Sequence, residues 1–270
     1  EEVESIESAD VQVADEGGGG DDLYGDAWPV FDRIIDGYTA KTVRKGTLNT
    51  LIAHRNSAAW SNDPTHRFFG FDGGSLKVAL GLRLGLTDHL DFGALRMNGT
   101  AEAYDTYEFD VRYHFLRQEK SGLDMAVRAG ITWFFHNEGV KDAAGALLQV
   151  LMSRIIKHRL ILGGGLLYHT SSSGPAKSPL DSKSSTAVMV FADIRFFEWM
   201  SLSAEYTQAL AGYHVENACI AMATRFITNR HTFSIVLSNT QWMTADGIIT
   251  NSARSGLSNY ILGFNITREI

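Results

Sequence analysis

The sequence predicts an all-β fold: a single antiparallel transmembrane β-barrel of about 12 strands, with a short periplasmic segment at its N-terminus. Three observations carry that expectation. The first is the run Ser75 to Thr87, where Leu76, Val78, Leu80, Leu82, Leu84 and Leu86 alternate with Lys77, Ala79, Gly81, Arg83 and Gly85. Period two marks a strand with one apolar and one polar face. A tilted strand needs about 9–11 residues to cross a bilayer, and glycines on the polar face suit a crowded lumen. The second observation is that this pattern recurs. Tyr107, Phe109, Val111, Tyr113 and Phe115 alternate with Glu108, Asp110, Arg112 and His114, and Val127, Ile131 and Trp133 with Arg128, Gly130 and Thr132. The third is the sorting of the connections, which alternate strictly between long and short, as external loops and periplasmic turns do in outer-membrane barrels.

Taken in order, residues 1–26 hold ten acids (Glu1, Glu2, Glu4, Glu7, Asp10, Asp15, Glu16, Asp21, Asp22, Asp26), Gly17 to Gly20 and no Lys or Arg. Low hydrophobicity and like charge predict a flexible solvated tail. Docking of the tail on a basic partner and its entry into the barrel are the functional alternatives. Residues 27–45 form the expected periplasmic segment. Within it Trp28 to Gly37 reads as a two-turn helix, with Pro29 early and Gly37 past its end. Residues 46–270 form the barrel, with strands expected near 47–55, 75–87, 90–97, 106–116, 123–136, 147–157, 160–169, 186–197, 201–209, 218–227, 232–238 and 259–269. The strands near 147–157 and 218–227 alternate poorly. Long connections fall at 56–74, 98–105, 137–146, 170–185, 210–217 and 239–258, so both termini are expected on the periplasmic side. Tyr107, Trp133, Phe135, Tyr168, Phe196, Trp199 and Tyr260 fall near strand ends, where interfacial girdles form.

Composition alone would miss the membrane. The chain is 44% hydrophobic with a mean hydropathy of −0.08, and has no apolar run long enough for a transmembrane helix. A barrel hides its apolar residues in alternate positions. The start at Glu1 without Met suits a mature product whose signal peptide has been removed. The single cysteine, Cys219, excludes an internal disulfide and a Cys-cluster metal site. Outside the acidic tail the chain is net positive.

His54, His66, His89, His114, His136, His158, His169, His214 and His231 are dispersed without metal-ligand spacing, so no metal is expected. His114 and His136 are expected to face the lumen on adjacent strands. There is no CxxCH, no phosphate-loop pattern around Gly163 to Gly165, and no Ser–His dyad on an outward face, so no cofactor and no catalytic residue is assigned. The remaining chemistry is the expected lumen lining: Lys77, Arg83, Glu108, Asp110, Arg112, His114, Asp124, Arg128, Asp193, Arg195 and Glu205. Arg112 with Asp124, and Asp110 with Arg128, are expected cross-strand pairs. Leu76, Val78, Leu80, Leu82, Leu84, Leu86, Val127, Ile131 and Trp133 are expected to face lipid.

The runs Ile35-Asp36-Gly37-Tyr38-Thr39-Ala40-Lys41-Thr42-Val43, Lys45 to Leu48 and Ala53-His54-Arg55 resemble the opening of an uncharacterised family of bacterial outer-membrane β-barrels. Phe69 to Asp72, Gly85 to Asp88, Leu116-Arg117-Gln118 and Gly263 to Arg268 extend the resemblance over roughly residues 34–270. The chain departs from it at Asn56-Ser57 and in ending at Ile270 rather than on an aromatic residue. The resemblance implies the fold and an outer-membrane location in a Gram-negative bacterium, and no activity. Two non-enzymatic functions follow. One is a narrow charge-lined pore for small solutes or ions, whose alternative is a salt-bridged filling that braces the barrel. The other is a scaffold for periplasmic or surface partners, multihaem cytochromes among them, held by the tail or the long loops. Outer-membrane lipid is an expected partner in either case, and nucleic acid in neither.

Overall fold

A computed structural model describes residues 32–59, 76–99, 105–135, 142–172, 183–212, 217–228, 230–250 and 254–270. The acidic tail, the Phe69 to Asp72 run, His66, His136 and His214 lie outside them. Twelve antiparallel strands close into one barrel. They are β1 (Leu48–Ala59), β2 (Lys77–Gly85), β3 (Leu90–Met97), β4 (Asp105–Leu116), β5 (Asp124–Phe135), β6 (Ala143–Ile156), β7 (Leu160–Ser172), β8 (Lys183–Phe197), β9 (Met200–Ala211), β10 (Cys219–Ile227), β11 (His231–Ser238) and β12 (Ile261–Glu269). Each pairs with its sequence neighbours, and β1 pairs with β12 to close the ring, abolishing free edges. The twelve strands expected from the sequence correspond to these one for one.

The short connections, including one that carries α1 (Gln118–Ser121), share one end of the barrel. Leu48 and Ile270 exchange backbone hydrogen bonds of 3.0 and 2.9 Å, so β1 begins and β12 finishes at that same end. Alternation sorts the side chains: Leu80, Leu82, Leu84 and Leu86 are 47, 54, 40 and 43% exposed on the outer face, while Lys77 and Arg83 at alternate positions of the strand are buried. Ile131 and Trp133 also face outward, and Leu76, Val78 and Val127 are half-buried on that face. Outward aromatics gather toward both ends. Phe197, Trp199 and Phe226 stack at the short-turn end, and Trp133, Phe135 and Tyr107 cluster at the other. Tyr260 does not join them; it is buried behind a one-turn 3-10 helix at Leu257–Asn259.

The lumen is occupied from both ends. Asp32 to Thr39 form a tight hairpin inside the barrel: Arg33 bridges Tyr38, Thr39 N–H donates to Asp32 C=O at 3.0 Å and Ile34 N–H to Gly37 C=O at 2.9 Å. The helix expected over Trp28 to Gly37 is therefore absent from its described part. The reason is tertiary: a buried carboxylate from the wall takes the N–H groups of the turn, which a helical register would have aimed elsewhere. The segment expected below the barrel thus enters it, and leaves through Lys45, which bridges Gly85. From the opposite end, residues 239–250 turn inward and present α2 (Ala245–Thr250) to the lumen, with Met243, Ala245, Asp246 and Ile249 buried.

Candidate functional site: the plugged lumen

β2 to β5 supply the charged wall. Arg83 donates to Asp91 and to Asp110, both at 2.6 Å; Arg112 donates to Asp91 at 2.6 Å; and Arg128 donates to Asp110 at 2.8 Å and to Glu108 at 3.1 Å. Three guanidiniums thus alternate with three carboxylates, all buried. Register explains the pairing, because Asp91 lies directly opposite Arg112 and Asp110 lies between Gly93 and Gly130. A Cβ at Gly93 would meet the Arg83 guanidinium, which would have to shift from its place between Asp91 and Asp110. The expected Asp110–Arg128 pair forms. The expected Arg112–Asp124 pair does not, because Arg112 faces Arg128 across β4–β5 and turns to Asp91 on its other side. Asp124 instead sits 2.9 Å from His114 Nε2 and accepts Gln118 N–H at 3.0 Å, fixing the turn that carries α1.

The hairpin is bolted to this wall and to the one opposite. Arg112 donates to the carbonyls of Thr39 and Asp32 at 2.9 and 3.1 Å, and Asp91 accepts Val43 N–H at 2.9 Å. The Tyr38 ring lies within a set of guanidiniums, its centroid 4.1 Å from Arg33 and Arg128, 4.6 Å from Arg83 and 5.6 Å from Arg112. Cations over an aromatic face are attracted by its quadrupole, more strongly when desolvated. At the hairpin tip, Glu205 on β9 accepts Ile35 N–H at 2.6 Å, Asp36 N–H at 3.0 Å and Gly37 N–H at 3.0 Å. A Cβ at Gly37 would meet the end of the Met189 side chain and crowd Glu205, so both would have to give way. Arg55 links Asp36 to Asn265, each at 2.8 Å, and Asn265 donates back to Ile35 C=O at 2.9 Å. The hairpin therefore crosses the lumen from β4 to β9.

On the far side the wall also has an apolar part. Ile34, Ile35, Tyr38 and Ala40 pack with Leu151, Ile155, Ile161, Met189, Phe191, Ala221 and Ala223 from β6, β7, β8 and β10. Higher up, Ile249 packs on Leu147, Leu167 and Ala187, while Ala245 N–H donates to Glu108 at 2.6 Å. Glu108 thus joins the inward loop to the same ion-pair ladder that holds the hairpin. Beside it, His169 lies 2.8 Å from Thr132 Oγ1 and 3.6 Å from Asp246. Hydroxyl, imidazole and carboxylate stand in the order of a hydrolytic triad, and all three are at most 1% exposed.

The remaining expected lumen residues fall as follows. Asp193 accepts from Ser201, Ser203 and Arg225 at 3.0, 2.5 and 3.4 Å. Lys77 donates to Asn98 C=O at 3.2 Å and lies 4.3 Å above the Trp242 ring. Arg195 departs from expectation: a register shift beside Phe197 leaves it half-buried at the rim, bonded to the carbonyls of Phe197 and Glu198. Sequence reasoning missed Asp91, Arg55, Arg225, Tyr38 and Asp246. For Asp91, Arg55 and Arg225 the signal was present, since each shares the inward parity of its strand; Tyr38 and Asp246 lie outside the strands and carried none.

The KdgM porin structure superposes with a TM-score of 0.51 at 5% identity, over 82% of this chain and 98% of that one. An outer-membrane channel from Pseudomonas putida F1 gives 0.48 at 14% identity, over 86% and 98%. Outer-membrane phospholipase A from Escherichia coli gives 0.46 at 10% identity, over 89% and 97%. No curated protein matches the sequence. A family profile described as a membrane-bound β-barrel domain matches residues 31–270. The fold is that of bacterial outer-membrane barrels, and the chain belongs to that family of membrane-bound β-barrel domains.

Proposed function

We propose that the protein is a non-enzymatic barrel of a Gram-negative outer membrane, a narrow charge-lined pore for small solutes or ions that its own hairpin closes at rest. The short turns and both termini then face the periplasm, as in other outer-membrane barrels. One observation carries the reading: the hairpin spans the lumen through hydrogen bonds, ion pairs and ring contacts, against a wall of alternating charge. Buried ion pairs are a poor way to make a barrel stable, because desolvation offsets their attraction and apolar filling does as well or better. A polar wall is what a hydrated passage needs once the hairpin moves aside. The scaffold reading, with multihaem cytochromes or other partners, has no specific contact among the described residues to favour it.

Planar-bilayer recording of the purified full chain tests the pore. Glu205→Ala removes the acceptor for three hairpin N–H groups, each such charged hydrogen bond being worth about 1.5–3 kcal/mol. Open probability should rise at least about ten-fold over the parent. A folded Glu205→Ala protein with the parent's open probability would identify the lumen as a sealed brace.

A further inference from the structure

The outer wall carries a feature that the pore does not use. Along β6, β7 and β8 the outward residues form three rows: Arg154, Leu162 and Ala192; then Met152, Gly164 and Val190; then Val150, Leu166 and Val188. Gly164 has no side chain in the middle row, so the wall is sunk there into a groove of about 480 Å³. That size lies within the about 300–1,000 Å³ typical of small-ligand clefts. Its flanks are apolar and exposed, Leu162 at 42%, Leu166 at 54% and Val190 at 51%. The end nearer the short turns is cationic. Arg154 borders the groove, and the adjoining β6–β7 turn exposes Lys157 and Arg159.

A second outer groove of the same volume, about 480 Å³, lies over β8 to β11 and provides an internal contrast. Its walls include Ala192, Ala204, Leu202, Met222 and Ile235, and every lining residue is uncharged. Equal apolar space with and without a cationic end separates the capture of an acyl chain from the recognition of a headgroup.

We propose that the β6–β8 groove is a binding site for one anionic phospholipid, its acyl chain lying over Gly164 and its phosphate held by Arg154, Lys157 and Arg159. The aromatic residues Phe197 and Trp199, exposed beyond the neighbouring β8 end, set this turn at the level where headgroups lie. Each basic group near an anionic surface contributes about five-fold in affinity. The groove over β8 to β11 takes acyl chains without that preference.

Native mass spectrometry of the full chain, released from mixed micelles of phosphatidylglycerol and phosphatidylcholine, reads the site directly. The parent should retain one phosphatidylglycerol in clear preference to phosphatidylcholine. The triple variant Arg154→Glu, Lys157→Glu, Arg159→Glu should lose that preference by on the order of ten-fold or more. Val190→Trp fills the groove from an exposed position and should abolish the tightly held lipid, whereas Met222→Trp in the uncharged groove should leave it in place. An unchanged lipid ratio in the triple variant, or an unchanged adduct in Val190→Trp, overturns the proposal. So does loss of a dimer rather than of lipid in Val190→Trp, which would make the groove a contact between two copies.

Discussion

The two walls of the lumen solve the same packing problem in opposite ways. On β2 to β5 the inward positions include Arg83, Asp91, Asp110, Arg112 and Arg128, a ladder that grips the hairpin through its backbone carbonyls, its N–H groups and the Tyr38 ring. On β6, β7, β8 and β10 they include the apolar Leu151, Ile155, Ile161, Met189, Phe191, Ala221 and Ala223, which receive Ile34, Ile35 and Ala40, while β9 between them is polar and holds the hairpin tip through Glu205. A hairpin with apolar residues at its turn and polar backbone at its base needs both. The contrast shows that an inward-facing leucine in a barrel strand is evidence of something packed inside.

The largest effect is expected on the charged wall. Arg128→Leu leaves Glu108 and Asp110 with a lost partner in a dry interior, and breaking a buried pair of this kind costs about 3–5 kcal/mol. The urea midpoint of the variant folded in lipid vesicles should fall accordingly, and a midpoint within error of the parent would remove the ladder's structural role. On the apolar wall, Leu151→Ala opens a cavity beside the hairpin and should cost about 3 kcal/mol. That loss should appear as faster hydrogen exchange over residues 32–46, with the strands little changed; uniform loosening of the barrel would erase the distinction between the walls. The smallest effect belongs to Arg96→Ala, which removes a largely exposed pair with Asp105 at 2.7 Å. Exposed ion pairs are worth less than about 1 kcal/mol, so its midpoint should match the parent's.

The same contrast explains how far the sequence could be read. Where one face meets the outer surface and the other meets charges, as in β2, β4 and β5, alternation is strict and each element is legible. β6 and β10 alternate poorly because Leu147, Leu151, Ile155, Ala221 and Ala223 turn inward onto the inserted segments. Those positions look faulty in isolation and make sense only with the hairpin in place. The hairpin itself was legible as a run, Ile35 to Val43, but not as a shape. Pro29 and Gly37 are ordinary helix boundaries, and the carboxylate that overrides them, Glu205, lies 168 residues from Gly37. The ion-pair partners fared similarly: local spacing found Asp110 with Arg128, whereas Asp91 entered only when all strands were set in register.

The central claim is that movement of the hairpin opens the lumen, and a reversible lock tests it most directly. Ala40 N–H donates to Ser153 Oγ at 3.2 Å, which brings these two positions close enough for a cross-link between hairpin and wall. A chain carrying Ala40→Cys and Ser153→Cys, with Cys219→Ser to remove the native thiol, should show no openings in a planar bilayer when oxidised. Reduction should restore them on the same membrane. Openings that persist at parental frequency with the disulfide formed would contradict the account.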